Sequence, residues 1–192
     1  MRIIGLNKRF DNKTVFKGFS CEILDGQVNF IVGESGSGKT TLLRILAGLD
    51  NNYFGKIEPK PNKISVVFQE PRLLDALSVL DNVKIVKKDS EKKAKEILDM
   101  LELSGSLSLH PSELSGGMKM RVNLARAINY DGDVFLMDEP FSALDNELKR
   151  RILPKIFNIL KGKTIVIVSH DPSEVRRYGK NVINLDKNNL KV

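Results

Sequence analysis

Gly33-Glu34-Ser35-Gly36-Ser37-Gly38-Lys39-Thr40 decides how the rest of this chain is read. It fits the pattern G-x-x-x-x-G-K-[ST], a phosphate-binding loop. The run Val28 to Val32 before it is apolar and strand-like, and Thr41 to Leu49 after it is patterned as a helix. That strand–loop–helix setting is what the motif requires. The glycines let backbone N–H groups curl around phosphate oxygens. The helix that follows turns its positive end toward the same anion. Lys39 supplies a mobile ammonium for the β- and γ-phosphates, and Thr40 offers a hydroxyl to Mg²⁺. The loop implies a nucleotide without naming a reaction.

Working outward, 192 residues suit one α/β domain with room for a small inserted lobe. A hydrophobic share of 41% and a charged share of 29% describe an ordinary globular chain. No apolar run is long enough to span a bilayer. Met1 to Gly5 is not expected to open a signal peptide. The one cysteine, Cys21, forms no internal disulfide, which fits a reducing compartment. The net charge of +7 is open to three readings: nucleic acid, an anionic membrane surface, or a nucleotide's own phosphates. The densest basic patch, Lys87 to Lys95, alternates with Asp89 and Glu91 and reads as a solvated helix face. Aromatic residues are not interleaved with the basic ones, as they are in single-strand binders.

Arg2 to Asn7 and Val15 to Leu24 read as strands. Phe10 falls in the polar stretch Lys8 to Lys13. It either packs, partly exposed, or presents a flat face to a base. Asn51 to Gly55 is turn-rich, and Ile64 to Phe68 is a short buried strand ending at Gln69. From Leu73 to Leu103 the period becomes helical, with Ser78 and Asp81 spaced as a capping box. No strand is expected between Phe68 and Val134, so this is a helical insertion. Val134 to Met137, Ile165 to Val168 and Val182 to Leu185 read as further strands. Asn146 to Leu160 reads as a helix burying Leu148, Ile152, Ile156, Ile159 and Leu160, with Pro154 expected to kink or split it. Short β-branched runs between helices imply a mostly parallel sheet.

Three more stretches carry chemistry. Asp138 and Glu139 end the apolar run Val134 to Met137, where ligands bind in open α/β sheets. They either fix a turn or divide the work, Asp138 holding Mg²⁺ and Glu139 reaching an attacking water. Ser115-Gly116-Gly117 opens a helix, either as a plain N-cap or as a second phosphate-binding element. If the insertion holds Ser115 away from the chain's own loop, a head-to-tail dimer would place it over the partner's. His170 and Gln69, both at strand ends, are each open to a structural or a site reading. His110 reads as a surface loop residue.

Together these pieces resemble the ATP-binding cassette family of transporter ATPases, from Phe10 to His170. The motifs are GESGSGKT at Gly33 to Thr40, Gln69, LSGGM at Leu114 to Met118, VFLMDE at Val134 to Glu139, SALD at Ser142 to Asp145, and His170. The resemblance implies a P-loop NTPase fold, α/β, with a RecA-like core, an antiparallel β lobe and an inserted α-helical subdomain. As one domain over residues 1–192, it would have its core at 1–70 and 118–192 and its helical part at about 71–117. It implies that ATP is held by Phe10 against adenine and by Gly33, Ser35, Gly36, Ser37, Gly38, Lys39, Thr40 and Thr41 at the phosphates. Ser115, Gly116, Gly117 and Asp145 would come from the second copy. Thr40, Gln69 and Asp138 would serve Mg²⁺. Glu139 would be the general base, His170 the switch histidine, and Gln69 a sensor coupled to the permease. Two departures are Met118 and Met120, where glutamine is frequent.

The finer match, Val67 to Leu74 followed by Val79 to Val83, resembles ATPase subunits of nitrate, sulfonate, taurine and bicarbonate importers. The expectation is therefore an importer's ATPase, peripheral on the cytoplasmic face of the membrane. Permease subunits, a second copy and an extracytoplasmic binding protein would be its partners, with no nucleic acid. The chain is expected to lack a C-terminal regulatory domain, ending soon after Leu185. The competing readings are an exporter or lipoprotein-release ATPase, and a non-transport switch on nucleic acid or ribosomes.

Overall fold

Alternation along Arg2–Phe10 (β1) and Lys13–Glu22 (β2) buries Ile3, Leu6, Phe16 and Phe19 on one face, and the two strands pair antiparallel. Bulges at Gly5 and Gly18 shift the register, and Asn7 ties them together by donating to Gly5 O (2.8 Å) and accepting from Gly18 N–H (2.9 Å). The computed structural model describes residues 1–11 and 13–188; Asn12, within the stretch read as a polar loop, and residues 189–192 lie outside it. Phe10 is not a mid-loop residue, because β1 runs up to it and pairs it with Lys13. The chain forms two compact units, Met1–Ile64 with Asp133–Glu139 and Gly162–Val192, and Ser65–Gly132 with Pro140–Lys161.

In the first unit the antiparallel sheet has the order β2-β1-β4, with β4 at Phe54–Glu58. The turn expected over Asn51 to Gly55 gives way at Phe54 to this strand, which the sequence does not signal. Only Ile57 of β4 is buried and Phe54 is 79% exposed, so no period-two signal marks it. The unit's parallel strands are Val28–Val32 (β3), Val134–Asp138 (β6), Thr164–Val168 (β7) and Asn181–Asn184 (β8), ordered β6-β7-β3-β8. Every residue of β6 and β7 is buried, which is why they read as unbroken apolar runs. Helix α1, Lys39–Leu46, buries Leu42, Leu43, Ile45 and Leu46 in a core shared with Phe16, Phe19, Leu136, Val166, Val168 and Ile183. Asn29, fully buried in β3, bonds Leu24, Gln27 and Ile165 and so satisfies its amide inside that core.

The second unit is helical, beginning with Ile64–Val67 (β5) at its boundary. It contains Val79–Lys84 (α2), Glu91–Met100 (α3), Gly116–Tyr130 (α4) and Asn146–Ile159 (α5). Ser78 caps α2, accepting from Asp81 N–H at 3.1 Å. Asn129 of α4 donates to Val83 O (2.8 Å) and Ser90 Oγ (2.9 Å), fastening α2 and the start of α3 to α4. The expected break at Pro154 does not occur, and α5 remains one helix through it. Ile159, expected to be buried, is 43% exposed, whereas Leu160 is buried. Among the described residues no helix is long and apolar enough to cross a membrane. The remaining helices are Pro172–Tyr178 (α6) and Leu185–Asn188 (α7), both in the first unit.

Candidate functional site

The phosphate-binding loop joins β3 to α1 with Gly38 as N-cap at φ 101°. A Cβ on Gly38 would lie 2.6 Å from Val15 Cγ1 and 2.9 Å from Phe16 Cζ, so both the backbone angle and the packing require glycine. The first helical bond runs from Leu42 N–H to Gly38 O (2.8 Å). The N–H groups of Lys39, Thr40 and Thr41 precede it, and the helix offers them to an anion. Ser35 and Gly36 are exposed, and Ser37 donates its N–H to Glu34 O (3.2 Å), closing the turn. Lys39, 8% exposed, curls over the loop to donate to Gly33 O (2.8 Å) and Glu34 O (2.7 Å). Glu34 N–H is taken by both carboxylate oxygens of Asp186 at 3.1 Å.

Asp138 and Glu139, adjacent in sequence, point at different partners. Thr40 Oγ1 donates to Asp138 Oδ2 at 2.7 Å. Glu139 adopts φ 47°, donates its N–H to Val168 O (3.0 Å), and brings Oε1 to 3.2 Å from His170 Nε2. A left-handed conformation at a non-glycine residue is strained, and it is held here by the β6–β7 pairing that runs up to Asp138 and by the Glu139 N–H bond to Val168 O. Burial pushes the Glu139 carboxyl above the ordinary glutamate range, against the opposing pull of His170. A half-buried carboxylate with raised basicity beside a phosphate loop is suited to accept a proton from water. Behind His170, the buried Ser169 donates to Glu174 Oε2 (2.7 Å) and accepts from Asp171 N–H (3.1 Å), which fixes the end of β7.

Phe10 ends β1, 48% exposed. Two lysines near it were not singled out from the sequence. Lys8 Nζ lies 4.4 Å from the Phe10 ring centroid. Lys13 Nζ lies 3.8 Å from where a Cβ on Gly36 would be, which sets its ammonium beside the phosphate loop. The available signal for Lys8 was its two-residue spacing from Phe10, which puts both on one strand face. The first unit thus gathers Gly33 to Thr41, Asp138, Glu139 and His170, with Phe10 at the lip of its antiparallel sheet.

The other named residues are in the second unit. Gln69 is exposed just beyond β5. Ser115, also exposed, caps α4 by accepting from Met118 N–H (3.3 Å), which leaves its own O–H to donate. A Cβ on Gly117 would come within 2.9 Å of Ala143 O, so the turn before Asp145 packs directly on the α4 start. Asp145 caps α5 through Leu148 N–H (2.8 Å), and that bond holds its carboxyl below the usual range. Met120 is 2% exposed and so presents almost no side-chain surface; Met118 is only half-buried. His110 is exposed in a loop, as read.

A profile of the ABC transporter family matches residues 16–142. This chain belongs to the ABC transporter family. Among its relatives in that family, the aliphatic sulfonates import ATP-binding protein SsuB of Corynebacterium glutamicum is 38% identical, over 95% of this chain and 78% of that protein. SsuB 2 of Rhodococcus jostii is 36% identical, over 100% and 81%. A solved ATP-binding cassette, a dimer in a post-hydrolysis state bound to ADP and Pi, superposes with a TM-score of 0.82. It is 30% identical and covers 96% of this chain and 94% of that one. As a member of the ABC family the chain is an ATPase with a P-loop NTPase fold.

Proposed function

We propose that this ABC protein is the ATPase subunit of an importer, seated on the cytoplasmic face of a membrane beneath permease subunits. The observation that carries the reading is the divergence of Asp138 toward Thr40 and of Glu139 toward His170 beside one phosphate loop. The loop and the first turn of α1 would hold the β- and γ-phosphates, with Lys39 moving from the carbonyls of Gly33 and Glu34 to the phosphate oxygens. Glu139 would take a proton from water as the water oxygen bonds to the γ-phosphorus and the bond to the β-phosphate oxygen breaks, leaving ADP and phosphate. His170 would hold the Glu139 carboxylate and the attacking water in line. Phe10 would stack on adenine.

The donors fit a magnesium ion. The Thr40 hydroxyl and the Asp138 carboxylate are hard oxygens already converging at 2.7 Å, and Mg²⁺ is usually held by one or two such groups plus phosphates and water. Among the described residues no cluster of three His, Cys, Asp or Glu forms a closed cage. When bound, the ion would neutralise charge on the β- and γ-oxygens. Gln69 would report its presence to the permease.

Ser115 and its glycines would complete the phosphate site of a second copy, with Asp145 at the same interface. The dimeric cassettes of similar structure support this arrangement. We take residues 1–192 as one ABC ATPase domain whose helical part spans about 71–117. Import is the direction in the relatives' names, whose cargoes run from aliphatic sulfonates to sulfate and trehalose or maltose. An extracytoplasmic binding protein would supply the solute.

The test is to isolate the chain from its native membrane, identify what comes with it, and reconstitute the complex in vesicles. ATP hydrolysis should rise when the binding protein arrives loaded. A chain that travels with ribosomes or nucleic acid, and needs no membrane partner for turnover, refutes the importer reading.

A further inference from the structure

Lys8 is 4% exposed, which is rare for a lysine. Its ammonium is paired with Asp50 Oδ1 (2.8 Å) and donates to Asn52 O (2.7 Å). Both partners lie in the turn that follows α1, the helix springing from the phosphate loop. The same ammonium sits 4.4 Å from the Phe10 ring centroid, inside cation–π range. The Phe10 ring is therefore covered on one face by a fixed cation, and its 48% exposure belongs to what remains. A lysine tip desolvated by a carboxylate and a carbonyl is a rigid support, unlike a mobile surface ammonium. It also withdraws charge from the ring's covered face, which favours an electron-rich aromatic on the open one.

We propose that Lys8 is a positioning residue for the nucleotide base: it pins the Phe10 ring to the turn after α1 and leaves one face for a purine. This rests on reading Phe10 as the adenine-stacking residue. The base platform and the phosphate loop are then two ends of one braced assembly, β1 to the Asp50–Asn52 turn to α1. Lys8 touches no part of the nucleotide; it acts through Phe10.

The test measures equilibrium binding of ATP and of inorganic triphosphate to the full chain. Lys8→Met should weaken ATP binding about 3- to 10-fold, the scale of one cation–π contact and the ring order it maintains. It should leave triphosphate binding unchanged. In steady state the loss should appear in KM and not in kcat. Lys8→Arg, which keeps a cation over the ring and a partner for Asp50, should restore ATP binding to within about twofold. In a Phe10→Leu background, Lys8→Met should add almost nothing, because its effect runs through the ring. If Lys8→Met does not fold, Lys8→Met with Asp50→Leu removes both charges together and reads the same contrast. Equal losses for ATP and triphosphate, or an undiminished Lys8 effect without Phe10, overturn the proposal while leaving Phe10 in its role. Unchanged ATP binding in Phe10→Leu alone overturns the stacking reading, and this inference falls with it.

Discussion

Replacing Glu139 by glutamine preserves side-chain shape and removes the ability to accept a proton. Turnover should fall by about 10²- to 10⁴-fold, the usual worth of a general base, with ATP binding retained. Phosphate release and nucleotide binding measured on the same preparation check this, and parent-like turnover takes the base role from Glu139. The raised Glu139 carboxyl sets a second expectation. A carboxyl that binds its proton more tightly when folded adds stability at low pH, and that contribution is lost as pH rises through the raised value. Glu139→Gln should therefore resist urea better than the parent at pH 8, and its advantage should shrink on acidification. Activity moves the other way, since protonating Glu139 removes the base, so the acid limb of kcat should lie above the range of an ordinary glutamate. An advantage that grows as pH falls would contradict the burial argument. The sequence left Asp138 and Glu139 either as a turn pair or as a divided metal and water pair. Their two directions come from the φ of Glu139 and the reach of Thr40 and His170, which no local pattern encodes.

At the scale of elements, α4 holds the helical unit together through a buried amide. Asn129→Leu would leave Val83 O and Ser90 Oγ without that donor, at a cost of about 1–3 kcal/mol for the stranded polar groups. Urea unfolding would report it as a lower midpoint at an unchanged slope. A shift too small to measure would mean that water replaces the amide. Most helices and parallel strands were legible in the sequence because each meets its signal within its own length: a cap such as Ser78, a four-residue apolar period, or a fully apolar run such as β7. β4 was not, because its identity comes from pairing with β1 some fifty residues away in sequence. Nor was the continuity of α5, in which Leu148, Ile152, Leu153 and Ile156 are buried on either side of Pro154. That burial outweighs one lost backbone bond.

For the whole molecule, the proposed site needs two chains. Ser115→Arg should still bind ATP at its own loop and fail to hydrolyse it, because the bulky cation displaces the donor meant for the partner's γ-phosphate. Lys39→Ala has the opposite lesion, a broken loop with Ser115 intact. Mixed, the two form dimers in which one composite site carries both lesions and the other carries none, so activity absent from either variant should return. Turnover assays with dimerisation checked by sedimentation decide the matter. Full activity of Ser115→Arg as a confirmed dimer would remove the signature motif from the site.

What the amino-acid sequence determined by itself is the family and the placing of its motifs. The phosphate loop, the acidic pair at the end of β6, the serine cap of α4 and the histidine after β7 each sit at the edge of an element that announces itself locally. Only the tertiary structure decided what those edges face. Lys8 read as one more charge in a polar stretch until pairing with Asp50 and Asn52 buried it under Phe10. Lys13 and Asp186 reach the phosphate loop only through strand pairing and the return of the chain after β8. Met120 reads as a departure where glutamine is frequent, and the fold buries it. Periodicity reports which face of an element is apolar. It carries no record of the carboxylate, ring or carbonyl that a residue forty or more positions away will bring to that face.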